Sequence, residues 1–365
     1  MKRRDFTKKT TMAVGAGFST SLMGFNIKRH FKEDENIIGH GDYKYKVNKD
    51  WARLDPVKNP VLNCHEMVMD SKGRLIMITD EIKNNIFIYD KSGKLLDTWG
   101  TWFPGGHGLT LSKEGEEDFL FVADCGWYLG RDSKWHKQEG RVLKMSTDGR
   151  LIFNIGHPAT IGVYEQDEPF MPTEVAVAPN GDFYVADGYG SDYILQYNAR
   201  GEFIRRFGGN KEAQKEEKLV NAHGVAVDLR DPQNPVLICT SRNENCFKYF
   251  TLDGKFIKTV ELPGLYVCRP VLDDNNIYAG VCWSKTREGK GWVKDTGFVT
   301  IMEGDKVVSN PGGTTPEYVD GTLQPMYQDS QIFNHGHDVC VDEDKNLYVC
   351  QWNANKSYPI KLERV

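Results

Sequence analysis

The sequence shows few marks of several common protein classes. Its 46 Lys and Arg against 51 Asp and Glu leave a net charge of −5, with no basic surplus; that argues against a nucleic-acid partner. No run of 18 apolar residues occurs, so nothing after the N-terminus reads as a transmembrane span. Hydrophobic residues make up 39% and charged residues 27%, too apolar for a disordered chain and too polar for a membrane protein. Ala-Leu runs are missing, which excludes a helical bundle or coiled coil. None of the eight cysteines forms a C-x-x-C pair, and most sit in apolar stretches, so they read as buried free thiols. Histidine is scarce, with nine in 365 residues. What is plentiful is aromatic residues (12%) and glycine (36 against 15 prolines), a balance that points to β structure.

Residues 1–24, MKRRDFTKKTTMAVGAGFSTSLMG, have a basic start and a mild apolar run of small residues, the layout of a secretory signal. Arg3 and Arg4 followed by Asp5, Phe6 and Lys8 resemble the twin-arginine export motif, which implies a periplasmic or secreted protein. Residues 25–40 read as a linker.

From residue 41 to 365 the chain repeats itself. One unit, EVAVAPNGDFYVADGYGSDYILQYNARGEFIRRFG from Glu174, parses as four short strands separated by Gly, Asn and Asp turns. The same frame starts at His65, His107, His223 and His337, with a weaker copy near Arg269. Four antiparallel strands in roughly 40–50 residues make a propeller blade. The sequence therefore predicts an all-β, six-bladed β-propeller. Longer intervals fit insertions at 127–139 and 310–332. The last unit is one strand short, and the segment from Tyr43 can supply that strand and close the ring, as an open blade would leave an unpaired edge.

The first residue of each unit should lie on the propeller axis. Four of the six are histidines: His65, His107, His223 and His337. Neutral imidazoles converging on an axis make a divalent metal site, and three with an open fourth position suit a catalytic zinc; a hydrogen-bonded histidine plug is the alternative. Glu174, in phase with them, is expected to join as a ligand or to hold a water or a substrate hydroxyl.

The repeats resemble NHL-type blades and, more narrowly, the peptidyl-hydroxyglycine α-amidating lyase family. The similarity is carried by FYVADGYGSDYILQYNARGEFIRRFG, HGL at 107–109, HGVAVD at 223–228 and HDV at 337–339. The resemblance implies a catalytic zinc on His107, His223 and His337, a catalytic tyrosine at Tyr189, and an active-site arginine at Arg242. It also implies a structural calcium on the Met67 and Leu109 carbonyls and Asp338. Three features depart from the family. Asp80 stands where a second active-site arginine is expected, His65 and Glu66 replace small or apolar residues, and no copper monooxygenase domain is present.

Seven of the eight tryptophans lie in or beside loops. Trp127 and Trp135 accompany Lys134 in the first insertion, and Trp283 opens the basic segment SKTREGKGW, which contains Lys285. Flat aromatics interleaved with cations suit an acidic sugar, so Trp127, Trp135, Trp283, Lys134 and Glu174 are expected to bind substrate. The favoured expectation is a metal-dependent lyase or dehydratase acting by β-elimination on a uronic-acid-containing oligosaccharide. Tyr189 and His65 would move protons, and Arg242 would pair with the carboxylate. The alternatives are a peptidyl-α-hydroxyglycine amidating lyase and a non-enzymatic binding propeller.

Overall fold

The computed structural model describes residues 37–211, 214–288 and 291–365. The expected export segment at 1–24, and the linker up to residue 36, lie outside them. The turn-punctuated stretches form six radial antiparallel sheets, a six-bladed β-propeller. Blade one is Cys64–Met69, Leu75–Thr79, Ile86–Tyr89 and Leu95–Trp99; blade three is Glu174–Val177, Phe183–Ala186, Tyr193–Tyr197 and Phe203–Gly208. Hairpins between outer strands reuse one turn. Gly201 and Gly254 take φ of 82° and 86° and donate to the carbonyl three residues back, a left-handed position that glycine adopts at least cost.

The ring closes as expected. Ile360–Arg364 pairs with Tyr43–Asn48, with Tyr45 opposite Arg364 and Val47 opposite Leu362. The sheet runs one strand further than expected, because Ile37–His40 folds back on Tyr43–Asn48. Residues 37–40 are therefore blade rather than linker, and His40 ties this edge to blade five by hydrogen bonds with Ser309 and Asn310. Blade five is the irregular one. Its inner strand is split into Leu265–Val267 and Val271–Asp273, flanking Pro270, which cannot donate to a ladder; this is why the fifth repeat is faint in sequence. The two insertions form small hairpins, Trp127–Leu129 with Trp135–Lys137 and Tyr318–Val319 with Thr322–Leu323.

Apolar faces pack between blades. Phe121, Phe183 and Tyr197, all at most 2% exposed, form a stack with ring centroids 5.1 and 5.3 Å apart between blades two and three. Each such buried ring contributes about 1.5–3 kcal/mol. All eight cysteines are buried and unpaired.

Candidate metal centre

Each axial histidine sits at an irregularity in an innermost strand. The strand register shifts between Cys64 and Glu66, Gly106 and Gly108, Ala222 and Val225, and Gly336 and Asp338. The residues passed over include His65, His107, His223 and His337. A bulge re-aims the side chain it carries, and here it turns all four imidazoles onto the axis. Ring centroids of neighbours lie 4.6 Å (His65–His107), 4.8 Å (His107–His223), 5.1 Å (His223–His337) and 4.9 Å (His65–His337) apart.

Glu174 is not in this ring. It pairs regularly with Ala186, and Thr173 occupies the level of the histidines: the His107 Nδ1–H donates to the Thr173 carbonyl at 2.9 Å, just as the His337 Nδ1–H donates to that of His65. The repeat frame is thus one residue late in blade three, and likewise in blade five, where Cys268 precedes Arg269. The upper ring is His65, His107, Thr173, His223, Cys268 and His337. Glu66, Glu174, Arg269 and Asp338 form a second layer, completed by Gly108 and Gly224. A Cβ on Gly224 would lie 2.5 Å from Arg269 Cα, and one on Gly108 would lie 3.0 Å from Glu174 Cα, so the two glycines make room for the charged pair. The signal available in the sequence was the charged residue directly after a ring position.

This second layer corrects two expectations. Arg269 Nε and Nη2 form a fork on Asp338 at 2.7 and 2.8 Å. Nη1 donates to the Leu109 carbonyl at 2.8 Å and meets Glu66 and Glu174 at 3.0 and 3.3 Å, and Nη2 reaches the Met67 carbonyl at 3.2 Å. The donors expected to bind calcium, Met67, Leu109 and Asp338, are therefore occupied by a guanidinium of this chain. The residues present do not fit that ion. Glu174, fully buried, is bonded to Arg269, Thr110 and its own neighbour's N–H, so it is not a substrate contact. Burial raises the pKa of both Glu66 and Glu174, against the pull of Arg269.

The upper ring does fit a transition metal. Burial holds His107, His223 and His337 well below the usual histidine range, so they stay neutral as ligation requires. His65 Nδ1, His223 Nδ1 and His337 Nε2 are buried without partners, an unusual concentration of orphaned lone pairs or protons. Two sets of ligand atoms gather within 4.8 Å of one another: His65, His107 and His337, and His223, Cys268 and His337. Neither set is the expected trio of His107, His223 and His337: His65 stands with His107 in the first, Cys268 stands with His223 in the second, and His337 is common to both. Cys268 is held as a thiol by burial despite Arg242.

Tyr189 lies where the sequence placed it. Its hydroxyl is 3.2 Å from Nε2 of both His107 and His223. The loop presenting it is anchored by Asp187, whose carboxylate accepts from Tyr164 Oη and from the Met171 and Ser191 N–H groups. Burial raises the Tyr189 pKa, outweighing the opposing effect of Arg242, so the neighbouring cation does not make the phenol ionise more readily. Arg242 is buried beside the ring, over the Tyr266 face at 4.6 Å and bonded to the Val267 carbonyl and Cys268 Sγ. A cavity of about 340 Å3 opens above, lined by His65, Asp80, His107, Tyr189, Trp127, Trp135 and Trp352 among others. Trp127 and Trp135 thus reach the site, their rings 5.7 Å apart. Lys134 is exposed at the hairpin tip, and Trp283 stacks on Tyr266 at 4.9 Å; neither lines this cavity.

No protein-family model matches the chain. Among curated proteins it is 28% identical over 172 residues to a probable peptidyl-α-hydroxyglycine α-amidating lyase of Caenorhabditis elegans, covering 46% of this chain and 44% of that one. It is 33% identical over 121 residues to peptidyl-α-hydroxyglycine α-amidating lyase 1 of Drosophila melanogaster, covering 33% of this chain and 20% of that one. The chain is similar to amidating lyases. The match to the peptidylglycine α-amidating monooxygenase of Rattus norvegicus is 23% over 293 residues, 76% of this chain and 25% of that protein. The matches span less than half the length of these relatives. Solved structures of a streptogramin B lyase (TM-score 0.50, 14% identity, covering 87% of this chain and 97% of that one) and of a gluconolactonase from Xanthomonas campestris (TM-score 0.51, 11%, 87% and 89%) share the fold. Among the described residues, no helix is long and apolar enough to cross a membrane.

Proposed function

We propose that this chain is an exported metal-dependent lyase that cleaves a peptidyl-α-hydroxyglycine into a peptide amide and glyoxylate. The observation that carries the reading is the Tyr189 hydroxyl, held between His107 and His223 at the floor of an aromatic-walled cavity. Similarity to amidating lyases supports it. Uronate elimination, the expectation favoured from the tryptophans, has no such support. Of its substrate-binding set, Glu174 is tied up with Arg269, Lys134 is turned to solvent and Trp283 is packed on Tyr266.

His107, His223 and His337 would hold a divalent transition ion, for which zinc suits an all-imidazole set. When bound, the ion would stabilise negative charge developing on the substrate hydroxyl oxygen. Arg242 is the cation beside the ring; buried behind the residues that line the cavity, it would attract the terminal carboxylate through its charge. Trp127 and Trp135 would flank the residue preceding the hydroxyglycine. With its pKa raised by burial, Tyr189 is a proton donor at neutral pH. It would protonate the departing amide nitrogen as the C–N bond breaks, then recover a proton from the substrate hydroxyl as the new C=O forms. The net change moves one proton from oxygen to nitrogen and needs no oxidant.

The test is incubation of metal-reconstituted protein with a peptidyl-α-hydroxyglycine, following amide and glyoxylate together. Equal amounts of both products support the reading. Metal-loaded, folded protein that leaves the substrate unchanged would overturn it.

A further inference from the structure

Asp80 and His65 are the two departures at the upper ring, and they are in contact. Asp80 Oδ2 accepts from His65 Nε2 at 3.2 Å and from Asn63 Nδ2 at 2.8 Å, while Oδ1 accepts from the Asn63 N–H at 3.0 Å. Asn63 is itself fixed, because its Oδ1 accepts from the Asn353 N–H at 2.6 Å. The carboxylate is only 3% exposed and cannot swing away. A carboxylate acceptor on Nε2 sets the neutral imidazole as the Nε2–H tautomer and leaves the lone pair on Nδ1. That Nδ1 is buried with no partner. His65, His107 and His337 offer ligand atoms within 4.8 Å of one another. His107 and His337 show the same logic in mirror form, since each donates its Nδ1–H to a backbone carbonyl and keeps its Nε2 lone pair.

We propose that His65, oriented by Asp80, is a fourth imidazole ligand of the axial metal, beside His107, His223 and His337. The inference rests on the metal site of the proposed function. It accounts for the acid at position 80: a guanidinium there would leave His65 without an acceptor and would repel the ion. A carboxylate behind a ligating histidine fixes the ring orientation and raises its basicity. The consequence is chemical. With four protein nitrogens bound, a tetrahedral ion has no open position, so a site that also takes substrate must be five- or six-coordinate. Such a site tolerates cobalt, nickel or iron as readily as zinc.

Metal-free wild type, His65→Ala and Asp80→Asn, each checked for folding by circular dichroism, are titrated with Co2+ and Zn2+. Wild type should show the weak visible bands of five- or six-coordinate Co2+. His65→Ala should shift to the intense bands of a lower coordination number and bind Zn2+ at least about tenfold more weakly. Asp80→Asn should lose about tenfold or more in affinity, the usual effect of removing such a carboxylate. Unchanged cobalt spectrum in folded His65→Ala, with or without weaker binding, overturns the proposal while leaving a three-histidine site intact. If His65→Ala does not fold, Asp80→Asn decides, and unaltered affinity in it counts against the proposal. A wild type that binds neither metal ends both this inference and the metal reading beneath it.

Discussion

Replacing Arg269 by alanine is the most informative perturbation of the axis, because its outcome separates an internal cation from a bound one. The side chain makes a two-pronged contact with Asp338, further contacts with Glu66 and Glu174, and hydrogen bonds to the Met67 and Leu109 carbonyls. Its removal leaves buried acids without their counter-charge, which costs about 3–5 kcal/mol in comparable cases. For a domain of this size about 2 °C of Tm is lost per kcal/mol, so a fall of about 6–10 °C is expected. The emptied cage then presents carboxylate and carbonyl oxygens only, a donor set that suits calcium. At about 100 times its dissociation constant, added calcium would return about 2.7 kcal/mol, between about half and nine-tenths of the loss. Scanning calorimetry of metal-loaded wild type and Arg269→Ala, with and without calcium, reads all of this. Wild type should be indifferent to calcium. Equal stabilisation of wild type and variant by calcium, or no loss of Tm in Arg269→Ala, would refute the view that the guanidinium occupies a cation site.

Four further outcomes are expected. His223→Ala should bind markedly less Zn2+ than wild type by elemental analysis after gel filtration; equal metal in both would remove His223 from the ligand set. Tyr189→Phe should keep its metal and lose about two or more orders of magnitude in turnover of the hydroxyglycine peptide, and near-normal turnover would exclude Tyr189 as the proton carrier. His107, His223 and His337 have depressed pKa values through burial, so their contribution is present above the unfolded value of about 6.5 and lost as pH falls toward the folded values. Glu66, Glu174 and Asp187, raised by burial, act in the opposite sense over the same range, so the test is a difference. Between pH 7.5 and 5.5 metal-free wild type should lose more Tm, or gain less, than metal-free His223→Ala, and equal slopes would contradict a neutral buried His223. Asp187, pushed up to about 8 by burial, anchors the Tyr189 loop; Asp187→Ala should lower turnover with metal content unchanged, and wild-type turnover would show that the loop holds without it.

The repeat pattern alone determined the blade number, the closing strand from Tyr43 and the convergence of four histidines, because alternation and turn residues are local properties that recur at a fixed period. Tyr189 was legible only through the family resemblance, as the tyrosine of the D-G-Y segment that follows the strand FYVA. What sequence could not decide was depth along the axis. A bulge of one residue at His65, His107, His223 and His337 lifts those side chains into one ring. Glu174, on an unbulged strand, belongs one level lower, beside a residue 95 positions away. Nothing local announces that the guanidinium of Arg269 fills the place expected for calcium, since its partners come from blades one, two, three and six. The pairing of Asp80 with His65 was equally hidden. Both were visible as departures from a pattern, but only strand register brought the acid to the imidazole and left a buried nitrogen with nothing to bind.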